Sequence, residues 1–141
     1  MNHLLRAQAP ISDDAWKLID AEARDRLVPG LAARRLVDFV GPLGWEYSAT
    51  NLGRVEEVAA SADRLEARRR RVLPLVELRA PFSVSRAELQ AGDRGAEDVD
   101  FDDLDVAARQ LASAENAAVF AGWKEAGIEG VAGECLSLIH I

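Results

Sequence analysis

The sequence predicts a mixed α+β fold, and three observations carry that expectation. Apolar residues recur at helical spacing in two stretches, one following Ser12 and one following Asp102-Asp103. Between them lie segments rich in Val, Leu and aromatic residues, punctuated by Pro and Gly, which read as strands and turns. The 141 residues are 49% hydrophobic and 29% charged, a composition that buries a core rather than staying disordered.

The first helix starts at Ser12, whose hydroxyl suits an N-cap, with Asp13 and Asp14 stabilising the positive first turn. Trp16, Ile19, Ala23 and Leu27 then form one apolar stripe, and Pro29-Gly30 is expected to stop the helix. The stripe is either a core face or a groove for a partner peptide, and periodicity alone does not separate the two. Arg34 to Val40 reads as a strand, and Gly41-Pro42-Leu43-Gly44 carries type I turn chemistry before Trp45-Glu46-Tyr47 resumes an extended path. From Leu52 to Val72 the chain is polar, β-tolerant and poor in large core residues. Such a segment cannot build its own core, so we expect an extended arm or long hairpin covered by a neighbour. Pro74 to Val84 alternates partly and reads as a strand or strand pair with an edge or bend at Pro81. The longest helix is capped by Asp102 or Asp103 and is expected to run to about Ala126. Its face of small residues (Ala107, Ala108, Ala114, Ala118) permits close approach of another element.

Charge excludes several functions. The net charge is -7, and seven acids fall between Asp93 and Asp105. An acidic chain is a poor general nucleic-acid binder, because phosphate affinity needs clustered Lys and Arg. The one basic run, Arg68-Arg69-Arg70-Arg71, would split two and two between the faces of a strand, so we read it as solvated or partner-facing. A calcium loop starting at Asp98 would need Gly where Asp103 stands and Glu where Arg109 stands, so the acids read as helix-capping instead.

Catalytic motifs are scarce. His3 and His140 are the only histidines and Cys135 the only cysteine, so a histidine triad, a zinc knuckle and an internal disulfide have no support. No nucleophile elbow, dinucleotide fingerprint or phosphate loop occurs. We expect no enzyme, no metal and no cofactor. No apolar run nears the ~20 residues of a membrane span, and Met1–Arg6 lacks the pattern of a signal peptide. The expected location is the cytoplasm.

Several ordered pieces resemble the encapsulins, also called linocin-type bacteriocin proteins. They are Ala9-Pro10-Ile11-Ser12 with Trp16, Arg34-Arg35-Leu36-Val37-Asp38, Gly41-Pro42-Leu43-Gly44-Trp45-Glu46-Tyr47, Leu52-Gly53, Pro74 to Arg79 with Pro81-Phe82, and Leu111 through Glu115 on to Ile128-Glu129-Gly130. The resemblance implies the fold of tailed-phage major capsid proteins, present here incompletely. It divides the chain into 1–51 (N-terminal helix and first strands), 52–72 (extended loop) and 73–135 (first part of a peripheral domain, with its spine helix at about 103–126). The axial domain is absent.

The resemblance also implies a function: a shell subunit that assembles with itself into an icosahedral nanocompartment. Its cargo would be a dye-decolorising peroxidase or a ferritin-like iron protein, held through a C-terminal targeting peptide. Leu27, Arg34 and Asp38 are the residues here expected to touch that peptide. Some members are reported with flavin, but no aromatic lies between Ser83 and Asp100 to stack one. The alternatives are a phage major capsid protein and a secreted bacteriocin or protease of the linocin type. Family chains are roughly twice as long, and Leu136–Ile141 match one reading frame of a common library adapter. The sequence is therefore expected to be a gene fragment running into adapter at 136–141.

Overall fold

The computed structural model describes residues 5–133, so the adapter reading of 136–141, Cys135, His3 and His140 lie outside the described residues. The fold is mixed α+β. Helices α1 (Asp13–Gly30), α2 (Arg86–Asp93) and α3 (Asp102–Ala121) accompany one two-stranded antiparallel sheet of β1 (Ala49–Val58) and β2 (Ala67–Pro74). Short 3-10 turns lie at Arg6–Gln8, Ala33–Arg35 and Lys124–Ala126. The chain forms two compact units, one from residues up to 32 with 79–115, the other from 33–78 with 116 onward.

The first unit is built on its helix caps. Ser12 accepts from the Ala15 N–H at 2.9 Å and donates to Asp93 Oδ1 at 2.7 Å, tying the start of α1 to the end of α2. Ser85 caps α2 by accepting from the Ala87 N–H at 3.2 Å. α3 begins at Asp102, so Asp102 and Asp103 lie in its first turn rather than capping it; Asp103 accepts the Ser83 N–H at 2.6 Å, and Asp100 ahead of the helix accepts the Asp102 N–H at 3.0 Å. These caps hold together a core of Ala15, Ile19, Leu89 and Leu104, against which Ile11, Trp16, Ala23, Val84 and Phe101 pack. Most of the expected stripe on α1 is therefore a core face. α3 is approached closely at Ala112, outside the small residues named for its face: an added Cβ on Gly30 would sit 2.8 Å from the Ala112 Cβ.

α1 includes Pro29 and ends at Gly30, with Leu31 as its C-cap. The helix α2 had not been expected, although Ser85-Arg86-Ala87-Glu88 carries the S-x-x-E pattern of a helix start. Glu88 spends its carboxylate on the Asp100 N–H at 3.1 Å.

The second unit carries the sheet. β1 and β2 pair Ala49 with Pro74 through Asn51 with Val72, then resume at Val55 with Arg70 and run to Val58 with Ala67. Leu52, Gly53 and Arg54 thus face the single residue Arg71 in a wide bulge, closed by the Asn51 side chain accepting the Gly53 N–H at 2.9 Å. Only Ala49 and Glu56 of β1 and Ala67 of β2 are even half-buried. The ribbon has no core face of its own.

Three expectations for this part of the chain are corrected. The segment 34–40 is not a strand, because the Leu36 and Val37 N–H groups both turn back to the Ala33 carbonyl, at 2.9 and 3.1 Å. Asn116 Oδ1 fixes that turn by accepting the Ala33 N–H at 2.9 Å. The turn expected at 41–44 closes three residues later, from Tyr47 N–H to Gly44 O at 3.3 Å, so Trp45 and Glu46 are turn rather than strand. Beyond the Leu75 N–H, bonded to Ser48 O at 2.9 Å, residues 76–84 form no strand. Pro81 has no N–H to give a ladder, and Ser83 has given its own to Asp103.

The long helix ends at Ala121, not near 126. Gly122 takes φ +84°, a left-handed conformation that glycine adopts at no steric cost, and the chain turns back on itself. Trp123 and Ile128 exchange backbone hydrogen bonds at 2.8 and 3.0 Å. Gly130 then passes so close that an added Cβ would lie 2.3 Å from the Gly122 nitrogen.

Candidate functional site

Three surfaces compete as the functional site. In the first unit, a hollow of about 510 Å³ is lined by Leu18, Glu22, Arg26, Glu97, Phe101 and Asp105, among others. Its lining is acidic, with Asp25 and Asp102 beside these residues, and its one basic group serves two of the acids: Arg26 Nε lies 2.7 Å from Glu22 Oε1 and 3.0 Å from Asp105 Oδ2. The bond to Glu22, then the charge of Asp105, holds the Arg26 guanidinium above its ordinary value. Among the described residues no three His, Cys, Asp or Glu side chains are placed to hold a metal ion. The hollow is thus an acidic surface around one half-exposed arginine. On the outer side of α1, Arg6 grips both oxygens of Asp20 at 2.7 Å while lying 4.6 Å over the Trp16 ring. The Arg6 hydrogen bond draws the Asp20 carboxyl below the usual carboxylate range.

The second surface, in the second unit, holds Arg34 and Asp38, two of the three residues expected to meet a cargo peptide. Leu27, in the first unit, lies near the end of α1 and is half-buried. In the second unit, Arg34 sits in the 3-10 turn after α1, with Asp38 exposed a few residues on. Arg34 and Asp38 thus belong to one short segment of the second unit, and Leu27 belongs to the first unit. Arg34 places its guanidinium carbon 4.3 Å over the ring of Phe39. Phe39 also opens a hollow of about 350 Å³ shared with Val40, Pro42, Leu43, Tyr47 and Leu75. Phe39 was not expected at a site, because the strand reading of 34–40 placed it on the face opposite Arg34.

The third surface is the ribbon. Glu56 and Arg69 pair across the strands, and Glu66 and Arg68 pair at 3.2 Å near its tip. Val55, Val58, Val72 and Leu73 remain 40–50% exposed among the described residues. Apolar side chains left open on a two-stranded sheet mark a surface that another body covers.

None of the described helices is long and apolar enough to cross a membrane. Comparison with known proteins fits this arrangement of surfaces without a reaction centre. A "Type 1 encapsulin shell protein" of Rhodospirillum rubrum is 50% identical over 137 residues, covering 93% of this chain and 49% of that protein. Proteins of the same description from Brevibacterium linens and Mycobacterium tuberculosis are 39% and 38% identical over 131 residues, with the same coverage. The chain spans about half the length of the curated relatives it matches. Residues 1–136 match the family described as "Encapsulating protein for peroxidase", and the chain belongs to that family.

Proposed function

We propose that this chain is the shell-building N-terminal part of an encapsulin subunit, a non-enzymatic protein that assembles with itself and encloses cargo. The observation that carries the reading is the ribbon β1–β2, which is exposed on both faces and needs a neighbour to bury Val55, Val72 and Leu73. In this reading the fold is that of tailed-phage major capsid proteins. Residues 52–72 are the extended loop that lies on other subunits, and 73–135 begin the peripheral domain, with α3 as its spine. The assembly is an icosahedral shell in the cytoplasm. Its cargo is a peroxidase or ferritin-like protein whose C-terminal peptide meets Leu27, Arg34 and Asp38. Nucleic acid and membrane are not partners: the net charge of -7 disfavours the first.

The test is assembly of the protein from the complete reading frame that carries this sequence. Size-exclusion chromatography and electron microscopy should show closed megadalton particles, and replacing residues 52–72 by a short Gly-Ser linker should abolish them. Only monomers or small oligomers from the intact frame would overturn the proposal. Loss of co-purifying cargo in Arg34→Ala and Asp38→Ala particles tests the docking residues separately.

A further inference from the structure

We infer that the charges of the ribbon specify its bulge, and that the bend made there lets copies of the chain close into a particle. The inference rests on the assembly reading and adds a conformational device to it. The ladder runs in two registers. Ala49, Thr50 and Asn51 face Pro74, Leu73 and Val72, and the Leu75 N–H bonded to Ser48 O at 2.9 Å carries that register on to the base. From Val55 outward the pairing is displaced by two residues, with Leu52, Gly53 and Arg54 opposite Arg71 alone.

Charge separates the two registers. In the outer half Glu56 faces Arg69, with which it is ion-paired, and Glu57 faces Arg68. Carried outward unbroken, the base register would instead set Arg54 against Arg69 and Glu57 against Glu66. Two opposite-charge pairs would give way to two like-charge pairs, which repel when directly opposite on a sheet. Arg68 also lies 3.2 Å from Glu66, so the observed register keeps a cation between two glutamates that the other would face together.

Gly53 absorbs the two surplus residues. It takes φ +66°, a left-handed conformation, and its N–H is held by Asn51 Oδ1 at 2.9 Å. Because side chains alternate with period two, a displacement of two leaves each on its own face. The bulge therefore redirects the outer half of the ribbon without turning it over. In an assembly, the angle at which one subunit reaches the next decides whether contacts close or run on. The bulge is a fixed elbow in the segment that reaches other subunits.

The experiment uses the complete reading frame that carries this sequence. Deleting Gly53 and Arg54 leaves Leu52 alone opposite Arg71 and joins both sets of pairs in one unbroken ladder. Electron microscopy should then show open sheets or particles of another diameter in place of the wild-type form. Where the deletion yields no soluble chain, two substitutions decide. Gly53→Asn should keep wild-type particles, since asparagine accepts the left-handed backbone. Gly53→Val should cut their yield about tenfold, the population cost of that backbone for a branched residue. The register is read separately, by oxidising paired cysteines and identifying the joined peptides by mass spectrometry. Val58→Cys with Ala67→Cys, opposite in the observed register, should cross-link about tenfold more than Val58→Cys with Leu65→Cys, which only the unbroken register opposes. Adding Arg54→Glu and Glu57→Lys, which reverses the charge preference, should lower that ratio about tenfold.

Wild-type particles from the deletion, or from Gly53→Val as readily as from Gly53→Asn, overturn the elbow and leave the assembly reading standing. A cross-link ratio unmoved by the charge reversal overturns the charge-set register. No particle from the intact frame overturns the assembly reading and the elbow's part in it, while the cross-link ratio still decides what sets the bulge.

Discussion

The helices of the first unit and the β ribbon of the second satisfy their backbones equally well and bury their side chains very differently. In the first unit Ser12 and Ser85 cap α1 and α2, and Ile19, Leu89 and Leu104 are less than a tenth exposed. Along β1 and β2 the ladder is made, yet the apolar side chains stay open. Hydrogen bonding thus shapes both regions, and only the first has the apolar burial that makes structure stable by itself. The ribbon has its shape from its own ladder, and in the proposed assembly other subunits supply the burial it lacks.

Breaking that contrast should be easiest in the helical core. Leu104→Ala should cost about 2–4 kcal/mol in the urea-induced loss of helix signal, since the side chain is 4% exposed and its cavity cannot fill. A cost near zero would mean that this unit has no more of a core than the ribbon. Ser12→Ala should follow at about 1 kcal/mol on the same transition, because it removes the α1 cap and the tie to Asp93. Val72→Ala should shift that transition by less than about 0.5 kcal/mol. It should nevertheless reduce particle yield from the complete reading frame, which sharpens the contrast between stability and assembly.

The smallest effect concerns pH. Asp20 is held below the ordinary carboxylate range by Arg6, so the pair contributes above that range and its contribution is lost as pH falls through the lowered Asp20 value. In Arg6→Ala the Asp20 titration, followed by carboxyl carbon NMR, should return to the ordinary range. Because Asp20 is largely open to solvent, stability should change little.

The parts of the fold that were legible in the sequence are those whose signals are local. Ser12 with Asp13 and Asp14 announces α1, and the acids before Leu104 announce α3, since a cap and its helix lie within one turn of chain. α2 was equally announced by Ser85 and Glu88, but eight residues without a long apolar stripe draw less notice than the neighbouring Val and Leu. The misread strands at 34–40 and 75–84 share one cause. A β-prone run becomes a strand only if a partner edge is present, and the Asn116 and Asp103 side chains that claim the Ala33 and Ser83 N–H groups are distant in sequence. The proposed docking residues come only from the resemblance: no periodicity marks Leu27, Arg34 and Asp38 together. The stacking of Arg34 on Phe39 depends on a non-repeating turn, which no sequence period describes.

The bulge at Leu52–Arg54 has a consequence for the direction in which the ribbon can grow. Three residues crowd opposite Arg71, so the outer edge of β1 is bent and offers no regular row of donors and acceptors. The outer edge of β2 has no such interruption. A strand from elsewhere can therefore extend this sheet on one side only, and each addition leaves a blunted margin behind it. A sheet of that kind joins two bodies and then stops. Unbulged ribbons with so much open backbone would instead stack into fibres, the failure that a protein made in many copies can least tolerate.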